Sequence, residues 1–217
     1  MYKTALFLFP LFIILHSSAQ SLTNLDNANG FKALKFGTPK STFKDLFYDT
    51  NTEYFSFQNL KEDTATVFGQ IAHVEVAFDN NGFLYLIKLS TLSNIQTKTI
   101  SAKQSWYEKL LNGEKPNQTF ISSYNFRQYT LSEIAVLKNT ITRAFGNPYS
   151  SKYIESSNNS YYIWQGKNVR LILEVGQFHF SLYSVKIYFV DIKRYAAVEN
   201  LRKSMKDKKD KQSSEDY

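Results

Sequence analysis

Apolar and polar residues alternate with a period of two in several short stretches, which is the pattern of half-buried β-strands. Residues 53–58 read EYFSFQ, residues 71–78 read IAHVEVAF and residues 83–89 read FLYLIKL. Between the last two lies Asp-Asn-Asn-Gly at residues 79–82, and Asn and Gly tolerate the positive φ that hairpin turns require. We therefore expect a β-hairpin here. The same pattern predicts later strands at residues 161–164, 169–175 and 178–190.

Helical spacing predicts helices between these strands. Thr130 and Glu133 are spaced as a capping box, an apolar stripe with helical period follows, and Gly146 ends it. Further helices are expected at residues 39–47, at 101–113 and, at the C-terminus, at about 191–209. Residues 113–129 have no clear period and are expected to form a loop.

This order of elements predicts an α+β fold, with antiparallel sheets whose three internal helices pack on one face, plus a C-terminal helix. Helix, strand and hairpin recur in each half of the chain. Two arrangements fit this recurrence: the halves form two similar lobes, or they share a single sheet. The predicted segments are a flexible N-terminal stretch (20–30), a first lobe (31–112), a linker loop (113–129), a second lobe (130–201) and a charged tail (202–217).

Residues 1–19 have the layout of a secretory signal peptide. Lys3 precedes an apolar run at residues 5–15, and the small residues Ser17 and Ala19 precede Gln20. The run is shorter than the about 20 residues of a membrane-spanning helix, and Pro10 interrupts it. A buried N-terminal helix is the alternative. We expect cleavage before Gln20, no transmembrane segment in the mature chain, and a periplasmic or secreted protein.

The composition narrows the class of protein. The chain contains no cysteine, which excludes disulfides, thiol nucleophiles and a lipid-carrying cysteine, and which favours a bacterial origin for an exported protein. The net charge is +7, and much of it lies in the tail. The tail has two interpretations, a solvated helix and a segment that contacts an anionic surface weakly. We expect no nucleic acid as a partner. The basic tail residues are Arg202, Lys203, Lys206, Lys208, Lys209 and Lys211.

Catalytic and metal-binding motifs are missing from the sequence. Beyond residue 19 the only histidines are His73 and His179, too few for a zinc site with the usual spacing. Serine-hydrolase and phosphate-loop motifs are absent as well, so we expect no catalytic residues, no metal and no cofactor. His73 and the acids Glu53, Glu75 and Glu174 alternate with apolar neighbours on predicted strands, which predicts that they face solvent.

The densest aromatic stretch is the candidate ligand site. Tyrosine and tryptophan combine a flat apolar surface with a polar group, which suits a sugar or a protein partner. In the alternative interpretation, Tyr162 and Trp164 pack in the sheet core and the others line its rim. The candidate residues are Tyr149, Tyr153, Tyr161, Tyr162 and Trp164.

Three stretches carry a resemblance to a known group. They are FKALKFGTPKSTFKDLF (31–47), VEVAFDNNGFLYLIKL (74–89), and ITRAFGNP (141–148) followed by YYIWQGKNVRLIL (161–173). The chain resembles uncharacterised exported bacterial proteins of the Bacteroidota type, whose small α+β units are similar to the β-lactamase-inhibitor-protein-like fold. The resemblance implies a fold and an exported location, and it supplies no catalytic residues.

The sequence therefore favours a non-enzymatic binding or interaction protein of the bacterial envelope or exterior. Its partner would be a protein, a peptide or a glycan. The alternative is an exported hydrolase without a recognisable local motif. A Ser or Asp near either histidine, or two convergent buried carboxylates, would favour the hydrolase, and an aromatic groove would favour the binding protein.

Overall fold

The computed structural model describes residues 24–57, 64–99, 119–179 and 181–215, and the fold is mostly antiparallel sheet with a few helices. The predicted signal peptide and the predicted helix at residues 101–113 lie outside these ranges. In the first half the strands are β1 (Gly30–Phe31), β2 (Leu34–Lys35), β3 (Leu46–Asp49), β4 (Tyr54–Phe57), β5 (Thr64–Val67), β6 (Gln70–Phe78) and β7 (Leu84–Thr99).

The second half contains the two long helices. Its elements are β8 (Thr119–Phe126), β9 (Gln128–Tyr129), α1 (Leu131–Phe145), β10 (Ser150–Ile154), β11 (Asn159–Gln165), β12 (Val169–His179), β13 (Leu182–Asp191) and α2 (Ile192–Glu215). None of the helices in the described ranges is long and apolar enough to cross a membrane.

One large sheet contains strands from both halves of the chain. Its main order is β10-β11-β12-β13-β7-β6-β4-β3, with β5 paired to β6, β8 to β7 and β9 to β13. The two halves join where β13 pairs antiparallel with β7, for example Ile187 with Leu89. The sheet is thus continuous across the chain, and the division into two similar lobes stays a prediction.

The α1 face of the sheet, defined by Val76, Ile87, Leu173 and Ile187, carries the main core. The apolar stripe of α1, Ile134, Leu137 and Ile141, is buried against it. Thr130 and Glu133 form the predicted capping box at the start of α1, and Gly146 ends the helix with a φ of 79°. The predicted helix at residues 130–146 is therefore confirmed.

The N-terminal segment is fastened to the same core. Residues 24–28 are helical, and Leu25 is fully buried. Asp26 accepts hydrogen bonds from three successive backbone N–H groups of the β11–β12 turn, those of Lys167 (2.7 Å), Asn168 (2.7 Å) and Val169 (2.9 Å). This carboxylate therefore joins the start of the described chain to a turn about 140 residues later.

The β6–β7 hairpin forms as predicted. Asp79 Oδ1 accepts from the backbone N–H groups of Asn81 (3.0 Å) and Phe83 (2.9 Å), and Gly82 has a φ of 78°. A β-bulge follows the turn, because Phe78 pairs with Leu84 whereas Ala77 pairs with Leu86. Tyr85 is the extra residue in this bulge.

Three expectations for local structure were wrong. The predicted helix at residues 39–47 is a single 3₁₀ turn (Lys40–Thr42) followed by β3. Its backbone bonds instead to the hairpin, with Lys40 N donating to Gly82 O (2.7 Å) and Leu84 N to Thr38 O (3.0 Å). The predicted loop at residues 113–129 contains β8 and β9, since backbone pairing to β7 and β13 needs no apolar alternation. The predicted strand at residues 178–190 is the end of β12 and most of β13.

Candidate functional site

The second face of the sheet, the α2 face, carries the side chains that alternate with the main core. The first turns of α2 cover part of this face, where Val198 and Tyr195 pack with Ala77, Leu86 and Val190. A cavity of about 250 Å³ lies between α2 and the sheet. We call it the tyrosine cavity.

Among the described residues, five tyrosines line the tyrosine cavity, each from a different element. They are Tyr54 (β4), Tyr85 (β7), Tyr161 (β11), Tyr188 (β13) and Tyr195 (α2). Tyr85 reaches the α2 face because the bulge adds one residue to β7 and so changes the side on which it lies. Apolar side chains including Ile172 and Val190 form part of the wall.

Four of the tyrosine hydroxyls, those of Tyr54, Tyr85, Tyr188 and Tyr195, have a raised pKa and stay protonated at neutral pH. Burial is the main cause that raises the pKa of Tyr54, to about 12, with the neighbouring Tyr85 and Glu75 adding to it. Burial likewise raises the pKa of Tyr85, of Tyr195 and of Tyr188, the last also because it lies beside the Glu174 carboxylate. A neutral phenol both donates and accepts hydrogen bonds, so the wall can bind polar groups of either kind.

Glu174 is the buried acid of the cavity wall. Its Oε1 accepts from Lys186 Nζ (3.1 Å) and Asn159 Nδ2 (3.3 Å), and its Oε2 accepts from the Tyr188 hydroxyl (2.8 Å). These partners compensate the charge that burial would otherwise leave unsolvated. The bond from the Tyr188 hydroxyl to Glu174 also fixes the position of Tyr188 in the wall.

Two arginines, a second acid and Thr52 form the rest of the polar lining. Arg202 from α2 is part of the cavity wall, and it forms exposed ion pairs with Glu53 at 3.5 Å and with Glu199 at 3.3 Å. Arg170 from β12 donates its Nε–H to Gln165 Oε1 at 3.0 Å. The cavity can therefore offer both cationic and hydroxyl donors to a ligand.

The acids and the histidine expected to face solvent need a correction. Glu75, Glu174 and His73 do point away from the main core, yet all three are buried. The α2 face is therefore not a solvated face in this region, and Glu75 forms an ion pair with Lys88 on the neighbouring strand at 2.7 Å. Glu53 is exposed, but it lies in the turn before β4 with a φ of 60°, not on a strand.

The five aromatic residues predicted from the sequence do not share one surface. Tyr149, which directly precedes the edge strand β10, is exposed at 75% of its area, and Tyr153, on β10, at 59%. Tyr162 and Trp164 lie on the α1 face, where Trp164 is fully buried and its Nε1–H donates to the Gly146 carbonyl at 2.8 Å. Tyr161 alone of the five lines the tyrosine cavity.

Sequence reasoning missed the other four tyrosines of the cavity and Arg170. Period-two alternation in VRLILEV places Arg170, Ile172 and Glu174 on one face, and this signal could have found two polar members of the site. Alternation could not have found Tyr85, because the bulge reverses its side.

A further polar contact, outside the tyrosine cavity, lies on the α2 face of the sheet. The Ser56 hydroxyl and His73 Nε2 are 3.4 Å apart, on neighbouring strands. Within the described ranges, no group of three or more His, Asp or Glu side chains is arranged to hold a metal ion.

Comparison with known proteins gives no match to any family model, curated protein or solved structure.

Proposed function

We propose that this protein is a non-enzymatic binding protein that acts in the periplasm or outside the cell, and that the tyrosine cavity holds its ligand. The observation that supports the proposal is the convergence of five tyrosines and two arginines on one recess. Phenol rings provide flat apolar contact, and their hydroxyls fix the orientation of a polar ligand. Likeness to exported α+β proteins and a two-lobed organisation belong to the same proposal.

The ligand in this proposal is small. The volume of about 250 Å³ lies below the about 300–1,000 Å³ of sites for drug-sized molecules, so it accommodates one ring with its substituents. A glycan terminus or a peptide side chain has this size.

Two tyrosine variants test where the ligand binds. A set of monosaccharides, amino acids and dipeptides is titrated into isotope-labelled protein, and shifts of backbone amide resonances are followed. We expect shifts at β7, β12 and β13, reduced in Tyr195→Phe and abolished in Tyr195→Ala. The matched control Tyr149→Ala removes an exposed tyrosine outside the cavity and should leave binding unchanged. Binding that depends on Tyr149 instead would return the site to the cluster expected from the sequence.

Export has its own experiment. The full chain is expressed with its own first 19 residues in a bacterial host, and the N-terminus of the protein outside the cytoplasm is sequenced. A mature chain that begins at Gln20 supports the proposal. Cytoplasmic protein that begins at Met1 contradicts it.

An exported hydrolase is the second candidate, and the 3.4 Å contact between Ser56 and His73 is the observation that favours it. A serine nucleophile needs such a histidine as its base. Ser56, however, lies within the extended strand β4 and not on a tight turn. Hydrolysis of p-nitrophenyl acetate that is lost in Ser56→Ala and retained in Ser184→Ala would favour the hydrolase over the binding protein.

A further inference from the structure

The charges around the tyrosine cavity are unequally compensated. Glu174 receives hydrogen bonds from Lys186, Tyr188 and Asn159, and Arg202 is paired with Glu53 and Glu199. Arg170, by contrast, forms no ion pair with any residue in the described ranges, and its hydrogen bond to Gln165 uses the Nε–H. The cavity therefore contains one guanidinium whose charge these residues leave uncompensated.

This guanidinium is placed to bind an anion. Arg170 is half-buried on β12, and it lines the same recess as the tyrosines. A partly desolvated cation gains from an anionic partner, and the planar guanidinium binds a carboxylate through two parallel N–H···O bonds. A single uncompensated cation matches a singly charged carboxylate better than a doubly charged phosphate.

The walls indicate what carries the carboxylate. A purely aromatic acid would fit the apolar contacts, but it would cover the tyrosine hydroxyls without giving them hydrogen-bond partners, which is unfavourable. A saccharide ring offers hydroxyls to these phenols and also presents C–H groups to their faces. The raised pKa values of Tyr54, Tyr85 and Tyr195 keep these hydroxyls as donors.

We propose that the tyrosine cavity binds a sugar acid of a single ring, with its carboxylate on Arg170 and its hydroxyls on the tyrosines and the rest of the polar lining. This inference rests on the proposed function and names the class of ligand. A hexuronic acid at the end of a glycan has this chemistry.

Four probes distinguish the parts of this ligand. Sodium D-glucuronate and sodium D-galacturonate carry both ring hydroxyls and a carboxylate, D-glucose lacks the carboxylate, and sodium benzoate lacks the hydroxyls. Each is titrated into the mature protein while backbone amide shifts and the intrinsic tyrosine fluorescence are followed. We expect at least one uronate to bind about tenfold or more tightly than glucose and benzoate. Glucose lacks the charged hydrogen bond of the carboxylate, and benzoate lacks the several neutral hydrogen bonds of the ring hydroxyls.

Arginine variants then locate the carboxylate. Arg170→Gln should weaken uronate binding by about tenfold or more and weaken glucose binding much less, because glucose has no carboxylate to lose its partner, whereas Arg170→Lys should retain part of the uronate binding. The matched control is Arg143→Gln, which removes an exposed arginine of α1. Thermal unfolding of each variant establishes that the fold is intact.

The outcomes separate this inference from the proposed function. Equal binding of glucose and both uronates, or uronate binding that is insensitive to Arg170→Gln, overturns the sugar acid and leaves the binding protein in place. Failure of all four probes to shift the cavity resonances also overturns the sugar acid, and the wider ligand screen then decides the proposed function.

Discussion

The guanidinium of Arg194 donates to Asp79 Oδ2 across 2.7 Å, which joins the first turn of α2 to the tip of the β6–β7 hairpin. The same guanidinium lies 5.0 Å from the centre of the Phe83 ring. Asp79 thus serves two purposes, because its other oxygen accepts the backbone N–H groups of the hairpin turn. The position of α2, and with it one wall of the tyrosine cavity, depends on this carboxylate.

Replacing Asp79 should therefore destabilise both the turn and the attachment of α2. We expect Asp79→Ala to lower the free energy of unfolding by about 1–3 kcal/mol, because it leaves hydrogen-bond donors without an acceptor. Asp79→Asn keeps an acceptor for the turn and should lose less. Urea denaturation measures both. The exposed neighbour Asn80→Ala is the control, and an equal loss there would contradict the role given to Asp79.

Acid should remove the same stabilisation. Burial alone would raise the pKa of Asp79, but hydrogen bonds from the Phe83 N–H, the Arg194 guanidinium and the Asn81 N–H outweigh burial and lower it. A carboxyl with a lower pKa in the folded state stabilises the protein above its unfolded pKa near 3.8, and this contribution disappears as the pH falls through the folded value. Unfolding of Asp79→Asn should thus depend less on pH below about 4 than unfolding of the unmodified protein. Parallel curves for the two proteins would contradict this.

Gly82 should resist substitution for a backbone reason alone. Its φ is 78°, and no atom lies within 4 Å of the position that a Cβ would take. Gly82→Val should cost about 1 kcal/mol or more, since a β-branched residue is strained at positive φ. Gly82→Asn should cost less, because asparagine tolerates this region. Melting temperatures of the two variants provide the measurement, and equal values would show that strain at this φ is not the cause.

Removing one partner of the buried ion pair between Glu75 and Lys88 should lower the free energy of unfolding strongly. Replacing both partners by apolar residues should lower it much less. The two groups face each other across β6 and β7 at 2.7 Å, with little side-chain exposure. Glu75→Gln or Lys88→Met should each cost about 3–5 kcal/mol, because a buried charge remains without its partner. The double variant Glu75→Leu, Lys88→Met should recover most of this loss. Additive losses in denaturant unfolding would mean that the two charges do not act as a pair.

The charged tail should contribute little to stability. Val198 is the last buried residue of α2 in the described part of the chain, while Leu201 and Met205 are exposed. Deletion of residues 204–217 should change the free energy of unfolding by less than about 0.5 kcal/mol. If the basic residues bind an anionic surface, the full chain should bind phosphatidylglycerol vesicles at low salt and release them as salt rises, and the truncated chain should not. Unfolding on truncation would contradict both expectations.

Local features of the fold could be predicted, because short-range chemistry decides them. Thr130 and Glu133 define the start of α1 through bonds within one helical turn, and the turn at residues 79–82 forms from its own side chain and glycine. The segment after Pro39 follows the opposite rule. Its apolar spacing suits a helix, yet its backbone pairs with the hairpin, and no local pattern records that pairing.

The candidate site was harder to predict because it is assembled across the sheet. Trp164 and Tyr161 are close in sequence, but strand alternation places them on opposite faces, so a dense aromatic stretch was a poor guide to a shared surface. Tyr85 and Tyr195 meet because of a bulge and of a helix that crosses the sheet, at 6.3 Å between ring centres. Such contacts follow from tertiary packing, which alternation along one strand does not encode.

The pairing of β13 with β7 also determines when the sheet can form. Leu89 pairs with Ile187, which lies almost a hundred residues later in the chain. The chain must therefore close a long loop before the two halves of the sheet can pair. Contacts of such wide separation slow folding, and until β13 pairs, residues 86–90 of β7 present an open edge to other chains. During synthesis from the N-terminus the sheet therefore closes among the last events, and a holding partner that shields the β7 edge would favour the native product over aggregation.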